Sequence, residues 1–302
     1  MTPERTTHAD PVAEGIAGTT AAETRATCET CPHRCSLLPG QVGRCRARRN
    51  VDGVVTCGNY GRVTSCALDP VEKKPLAMWR PGSFVLSVGS YGCNMRCPFC
   101  QNHQIAAVGK GGVAWQFVSP EDLVGLARRL RAEDPRVTGL AFTYNEPLVG
   151  WEYVRDCAKL ARREGLANVL VSNGLACEPV VRQVAGLIDA ANIDVKTPSA
   201  ETYRNLGGDL ETTWATLGIL AETPDCHVEA TMLMVPGVSA SIDDVETTAR
   251  RIAALDRDIP LHLSRFFPCH RMAHAQPTPV ADVYRAAEVA RRHLFHVFTG
   301  NC

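Results

Sequence analysis

The chain is expected to fold as an α/β protein, an incomplete (β/α)6 barrel of the TIM type preceded by a small cysteine-rich module. Three observations carry that expectation. From Ser83 onward, short apolar runs alternate with amphipathic segments, the pattern of a parallel sheet with crossover helices. That stretch, 83–299, holds 217 residues, which is short of the ~250 typical of a full eight-unit barrel. Nine of the 14 cysteines crowd into residues 28–100, ahead of most of this pattern.

Residues 1–27 are rich in Thr, Ala and Glu without periodicity and are expected to form a mobile N-terminal tail. They lack the apolar core of a secretory signal, so a cytoplasmic protein is expected. Residues 28–80 carry only short apolar stretches such as 51–55, too little to build a core, and call for a staple such as a metal. The barrel is expected over 81–302, with strands at 84–88, 139–142, 168–171, 191–195, 228–234, 261–263 and 295–298. Ser119, Pro120 and Asp122 form a capping-box variant that opens a helix continued by Leu123, Leu126, Ala127 and Leu130. Further helices are expected over 149–163, 178–187, 211–221, 241–254 and 279–292. Beyond the βα recurrence there is no internal repeat.

Composition narrows the class. With 45% hydrophobic and 21% charged residues, the chain can bury a full core, which excludes a disordered or fibrous protein. No apolar run approaches the ~20 residues that cross a bilayer. The net charge is zero, which gives no support to a nucleic-acid function. Residues 26–80 are locally basic at +5, densest at Arg44, Arg46, Arg48 and Arg49. Such a run is either a solvated face or a dock for an acidic partner.

A disulfide scaffold needs an oxidising compartment; in a reducing one, clustered thiols point to metal or catalysis. Right after the first expected strand stand Cys93, Cys97 and Cys100, spaced C-x3-C-x2-C. Four-iron clusters normally take four cysteines, so three leave one iron open, as reactive metal sites keep one position open. The bland alternative is a zinc knuckle completed by a residue such as His103. A second set, Cys28, Cys31, Cys35 and Cys45, places four soft ligands within 18 residues. It reads as a complete site for structural zinc or for a second iron–sulfur cluster, the remaining alternatives being free thiols or a pairing that recruits Cys57 or Cys66.

The C-x3-C-x2-C loop, with Phe99 before its last cysteine, resembles the signature of the radical S-adenosylmethionine (SAM) superfamily. The resemblance continues at the ends of successive expected strands. Glu146 in Thr143-Tyr144-Asn145-Glu146-Pro147 matches the acid of the family's Gly-Gly-Glu motif, with Tyr144 and Asn145 in place of the glycines. Ser172-Asn173-Gly174 resembles the Thr-Asn-Gly of the pyruvate formate-lyase activating enzyme, with Val171 where that family has Asp. Asp194-Val195-Lys196 resembles its Asp-Ile-Lys, and Val235-Pro236-Gly237 its turn. Phe266-Phe267-Pro268-Cys269-His270 resembles its Leu-Leu-Pro-Tyr-His. Residues two apart on a strand share a face, so Asp194 and Lys196 can converge. With Cys28 to Cys45 and Asp69-Pro70-Val71-Glu72-Lys73-Lys74-Pro75, the chain closely resembles the AmmeMemoRadiSam-system radical SAM enzymes, in the activating-enzyme branch.

The resemblance implies an enzyme whose Cys93, Cys97 and Cys100 hold a [4Fe–4S] cluster. It implies Phe99, Glu146, Ser172, Asn173, Asp194, Lys196 and His270 around SAM, with His262 as a rival to His270. It further implies a flavodoxin- or ferredoxin-type electron donor, and either a glycine of a partner protein as target or work alongside a Memo-like partner. Cys269 is a candidate for returning hydrogen to the product. Two readings from other classes stand beside it: an iron–sulfur electron carrier without SAM chemistry, and a zinc-stabilised interaction module.

Overall fold

The computed structural model describes residues 24–302. The expected tail 1–27 therefore lies outside the described residues as far as residue 23. Its last two residues are not a tail: Ala26–Thr27 (β1) pair antiparallel with Ser36–Leu37 (β2). A second hairpin joins Arg48–Val51 (β3) to Val54–Cys57 (β4). Its two turn residues, Asp52 and Gly53, both take positive φ, as a tight hairpin demands. Arg62–Val63 (β5) and Ser65–Pro70 (β6) lead on to Phe84–Gly89 (β7). Gln116–Phe117 (β8) then pairs back onto β5.

Seven parallel strands make the main sheet. They are β7 and the six that follow β8: Val137–Phe142 (β9), Ala167–Ser172 (β10), Ala190–Asp194 (β11), His227–Met234 (β12), Leu261–Arg265 (β13) and Val297–Gly300 (β14). Their order is β14-β13-β12-β11-β10-β9-β7, with β6 added antiparallel at the β7 edge. Successive strands are neighbours, as βα units winding in one direction produce. The last strand lies later than expected from 295–298, because Phe295 is exposed and its N–H is spent on Arg257 O. β6, within the stretch 28–80 expected as the N-terminal module, thus joins the main sheet at its β7 edge.

The helices follow from local chemistry. A single turn at His103–Ala106 (α1) precedes Pro120–Glu133 (α2), where Ser119 accepts from Asp122 N at 3.1 Å and Pro120 occupies the first turn. Next come Trp151–Arg163 (α3), Glu178–Val184 (α4), Ala200–Asn205 (α5), Leu210–Ala221 (α6), Ile242–Leu255 (α7) and Val280–Ala290 (α8). α1 and α5 have no counterpart in the sequence expectations; each is short enough to carry little periodicity.

Alternate residues of the parallel strands face opposite sides. Leu86, Leu140, Leu170, Ile193, Met232 and Leu263 join the helices in the main core. Their neighbours Val85, Ala141, Val169 and Ala190 form a second core with Val71, Leu76 and Trp79. The segment between β6 and β7 therefore fills the side of the curved sheet that no helix covers, plugging the barrel. Its polar groups are tied across the interior: Lys74 Nζ donates to Asp69 at 2.8 Å, and Asn192 Nδ2 to Pro75 O at 2.8 Å. The N–H groups of Ala77 and Met78 donate to Glu229 at 3.0 and 2.9 Å.

Candidate active site

Cys93, Cys97 and Cys100 occupy the loop from the C-terminal end of β7 to α1. Gly92, φ +91°, turns the chain there, and a Cβ at that position would stand 2.4 Å from Cys45 O. Met95 N and Asn173 Nδ2 both approach Cys93 Sγ, at 3.4 and 3.5 Å. Burial pushes the Cys93 thiol well above its ordinary value, with the nearby Glu146 carboxylate adding to it. Burial pushes Cys97 up to about 11, against the pull of the Lys196 ammonium. Cys100 is likewise raised by burial. The three thiols influence one another electrostatically, so the loop gathers them.

Glu146 sits after β9, buried, at the start of a 3-10 turn over Pro147–Gly150. Its Oε1 accepts from Ser172 Oγ at 2.7 Å and Leu148 N at 2.9 Å, and its Oε2 from Asn173 N at 2.8 Å. A carboxylate has about four acceptor sites, so one remains. Burial raises Glu146 to about 6, with these three donors opposing. Tyr144 stands in the left-handed region at φ +71°, where glycine is at ease. Its hydroxyl is anchored by donation to Asp69 Oδ2 at 2.6 Å. Asn145 Oδ1 accepts from Ser90 N at 2.9 Å, and its Nδ2 donates to Gly92 O at 3.0 Å, which braces the cysteine loop.

At the end of β11, Lys196 Nζ meets Asp194 Oδ2 at 2.8 Å, with side chains 14% and 31% exposed. Burial works against the Lys196 charge, but Asp194 and then Cys97 hold it above the ordinary lysine range. Tyr203 supports the pair, its hydroxyl accepting from Lys196 N at 3.2 Å. Thr231 lies beside Asp194 in the strand register, and its buried Oγ1 has no hydrogen-bond partner. Phe99 is buried against the main core.

The structure thus brings Cys93, Cys97, Cys100, Glu146, Ser172, Asn173, Asp194 and Lys196 to one end of the barrel. His270 lies at the rim in the left-handed region, stacked on His103 with ring centroids 4.4 Å apart. Cys269 Sγ points to Cys100 O at 3.6 Å. His262 is elsewhere: its ring bonds Glu229 in the interior, making it a satisfied core histidine. Cys57 Sγ donates to Asn59 Oδ1 at 3.2 Å, and Cys66 lies on the β6 edge opposite Val88.

Asn94 was not marked by the sequence reading, although its place inside the C-x3-C spacing could have flagged it. It is 1% exposed; its Nδ2 donates to Leu175 O at 2.6 Å and its Oδ1 accepts from Asn173 Nδ2 at 3.0 Å. Glu229 was missed as well. It is wholly buried among His227, His262, Ala77 N and Met78 N, and an isolated Glu in a strand carries no sequence signal for such a network.

Residues 87–252 match the Radical SAM superfamily, more than half of the chain, and the chain belongs to that superfamily. An uncharacterized protein of Methanocaldococcus jannaschii is 34% identical over 282 residues, covering 92% of this chain and 82% of its own length. The pyruvate formate-lyase 1-activating enzyme of Escherichia coli K12 is 23% identical over 198 residues, covering 64% of this chain and 77% of that enzyme. Among solved structures, Streptococcus suis SuiB bound to S-adenosylmethionine aligns with a TM-score of 0.54 at 14% identity, covering 72% of this chain and 52% of SuiB. A radical SAM methyltransferase from Sphaerobacter thermophilus aligns with a TM-score of 0.52 at 16% identity, covering 72% and 66%. At those identities the likeness is one of fold.

Membership implies a [4Fe–4S] cluster and SAM; the electron-carrier reading accounts for the first but not the second, and the zinc-module reading for neither. The residues fit these groups. Three soft donors share one loop, N–H groups point at Cys93, and Lys196 can offset thiolate charge. Among the described residues no helix is long and apolar enough to cross a membrane.

Proposed function

We propose that this chain is a radical SAM enzyme in which Cys93, Cys97 and Cys100 ligate the cluster and the strand-end polar residues bind SAM. The observation that carries the reading is the convergence of Glu146, Asp194 and Lys196 on the end of the barrel that bears the three-cysteine loop. When bound, the cluster and SAM supply reductive cleavage of SAM to methionine and a 5′-deoxyadenosyl radical, which removes a hydrogen atom from a substrate.

The chain's own residues prepare that chemistry. The remaining acceptor site of Glu146 suits an ammonium, by a charge-assisted hydrogen bond. Lys196 suits a carboxylate, and Asp194, Ser172 and the unpartnered Thr231 hydroxyl suit the ribose and its neighbours. Asn173 links the two halves, donating to Cys93 Sγ while its N–H holds Glu146 in place. Phe99 and His270 are assigned to the nucleoside side. Below them the plug from Val71 to Trp79 closes the barrel and limits water access, which protects a radical from side reactions.

The activating-enzyme likeness supports a glycine of a partner protein as the hydrogen source, and a flavodoxin- or ferredoxin-type donor as the reductant. A Memo-like partner is the second candidate for the protein it serves. The deciding experiment gives anaerobically reconstituted protein dithionite and SAM and follows 5′-deoxyadenosine by chromatography. Product is expected from the wild type and not from the Cys93→Ala, Cys97→Ala, Cys100→Ala triple variant. A fully iron-loaded wild type that yields none would overturn the reading. Deuterium passing from a partner labelled at glycine Cα into deoxyadenosine would support the glycine target, and its absence with active enzyme would remove it.

A further inference from the structure

We propose that Cys28, Cys31, Cys35 and Cys45 hold a second iron–sulfur cluster whose electron reaches the Cys93 site by way of Asn94. The inference builds on the radical SAM reading and adds the route by which the electron arrives.

The N-terminal module is folded around these four sulfurs. Cys28 N donates to Cys35 O at 2.9 Å, closing β1 onto β2, and Arg34 N donates to Cys31 O at 3.1 Å in a turn. Cys28, Cys31 and Cys45 are each about 5% exposed, and all four are free thiols. Cys31 lies within electrostatic reach of Cys28 and Cys45, and Cys45 within reach of Cys28 and Cys35. Arg44 N approaches Cys35 Sγ at 3.5 Å, a contact that strengthens when the acceptor is charged, and the thiolate is the metal-binding form.

One feature favours an iron–sulfur cluster over zinc, and it is the connection between the two sets of thiols. His33, two residues from Cys31, reaches Asn94 O through Nε2 at 2.9 Å, Asn94 Oδ1 accepts from Asn173 Nδ2 at 3.0 Å, and Asn173 Nδ2 reaches Cys93 Sγ at 3.5 Å. His33, Asn94 and Asn173 thus tie the loop that carries one set of thiols to a sulfur of the other. Zinc has no redox chemistry and would make no use of that proximity.

The step balances as electron transfer alone. A low-potential one-electron donor gives one electron to the N-terminal cluster and is itself oxidised by one. The N-terminal cluster passes that electron to the Cys93 cluster and returns to its oxidised state. No bond or proton changes at Asn94 or Asn173. Exposed Arg44 and Arg96, adjacent in sequence to Cys45 and Cys97, offer an acidic donor a landing surface.

The test reconstitutes the protein anaerobically with iron and sulfide and counts iron, sulfide and zinc. Electron paramagnetic resonance follows dithionite reduction. The Cys93→Ala, Cys97→Ala, Cys100→Ala variant is expected to keep about four irons per chain and a reducible signal that SAM does not move. Stoichiometric zinc in place of iron, or no metal in a folded variant, overturns the proposal. Cys35→Ser, at the most accessible of the four, is expected to retain the fold by circular dichroism and the SAM-responsive signal, and to lose the second signal. It should also lose the fast phase of reduction by a flavodoxin-type donor; an unchanged fast phase overturns the relay. If SAM moves no signal in the wild type, the SAM reading fails while the iron count still decides the second cluster.

Discussion

Replacing Glu229 by Gln tests whether the segment between β6 and β7 is locked into the barrel as described. Both carboxylate oxygens are used twice: Oε1 by Met78 N at 2.9 Å and His227 Nε2 at 2.8 Å, Oε2 by Ala77 N at 3.0 Å and by His262. Glutamine keeps one acceptor oxygen and turns the other into a donor that faces two donors. Two hydrogen bonds to a charged group are lost, at about 1.5–3 kcal/mol each. A tautomer change at the facing histidine recovers about 1 kcal/mol of that, so the expected cost is about 2–5 kcal/mol. For a chain of this size the melting temperature should fall by about 4–15 °C.

The same carboxylate makes a pH signature. Burial pushes Glu229 up, but the donors from His227, His262, Met78 and Ala77 outweigh it and hold the group at about 2, against an ordinary 4.5. A depressed carboxylate stabilises the fold fully above the unfolded value and loses that contribution as pH falls from about 4.5 toward 2. The gap is worth about 3 kcal/mol, and about 2 kcal/mol of it should be gone by pH 3. Chemical denaturation of wild type and Glu229→Gln at pH 7, 5 and 3 reads both effects, with the difference between the two proteins narrowing at pH 3. A variant melting within about 2 °C of wild type, with a pH-independent difference, would refute the interior network.

Three further outcomes are expected. Lys196→Met removes an ion-pair partner of Asp194 and the cation assigned to the SAM carboxylate; SAM affinity by calorimetry should fall roughly ten- to hundredfold, with far-UV circular dichroism unchanged. Gly92→Ala must place a methyl group 2.4 Å from Cys45 O at a φ of +91°. The left-handed conformation alone costs about 1–2 kcal/mol, so soluble yield and iron bound per chain should both drop. Tyr144→Phe deletes the donor to Asp69 at 2.6 Å but leaves Lys74 on the same carboxylate, and should cost about 1–2 kcal/mol in denaturant unfolding.

The sequence by itself determined what depends on near neighbours. The seven parallel strands and the six longer helical segments were legible because apolar periodicity and capping chemistry are local, as at Ser119 and Asp122. The Cys93–Cys97–Cys100 loop and the Asp194–Lys196 pair were legible for the same reason: spacing along one loop or one strand sets which groups can meet. Tertiary structure decided the rest. The antiparallel edge strand β6 and the plug beyond it lie in a stretch whose composition reads as loop. Ala77 N bonds a carboxylate 152 residues away, and no periodicity encodes a contact of that range. Tyr144 in place of glycine made sense only once its hydroxyl was seen to reach Asp69. Asn94 looked like a spacer between two cysteines until folding set it between two groups of thiols. In each case the partner is supplied by packing across the barrel, where burial leaves a polar group no water to turn to and makes one particular distant residue its hydrogen-bond partner.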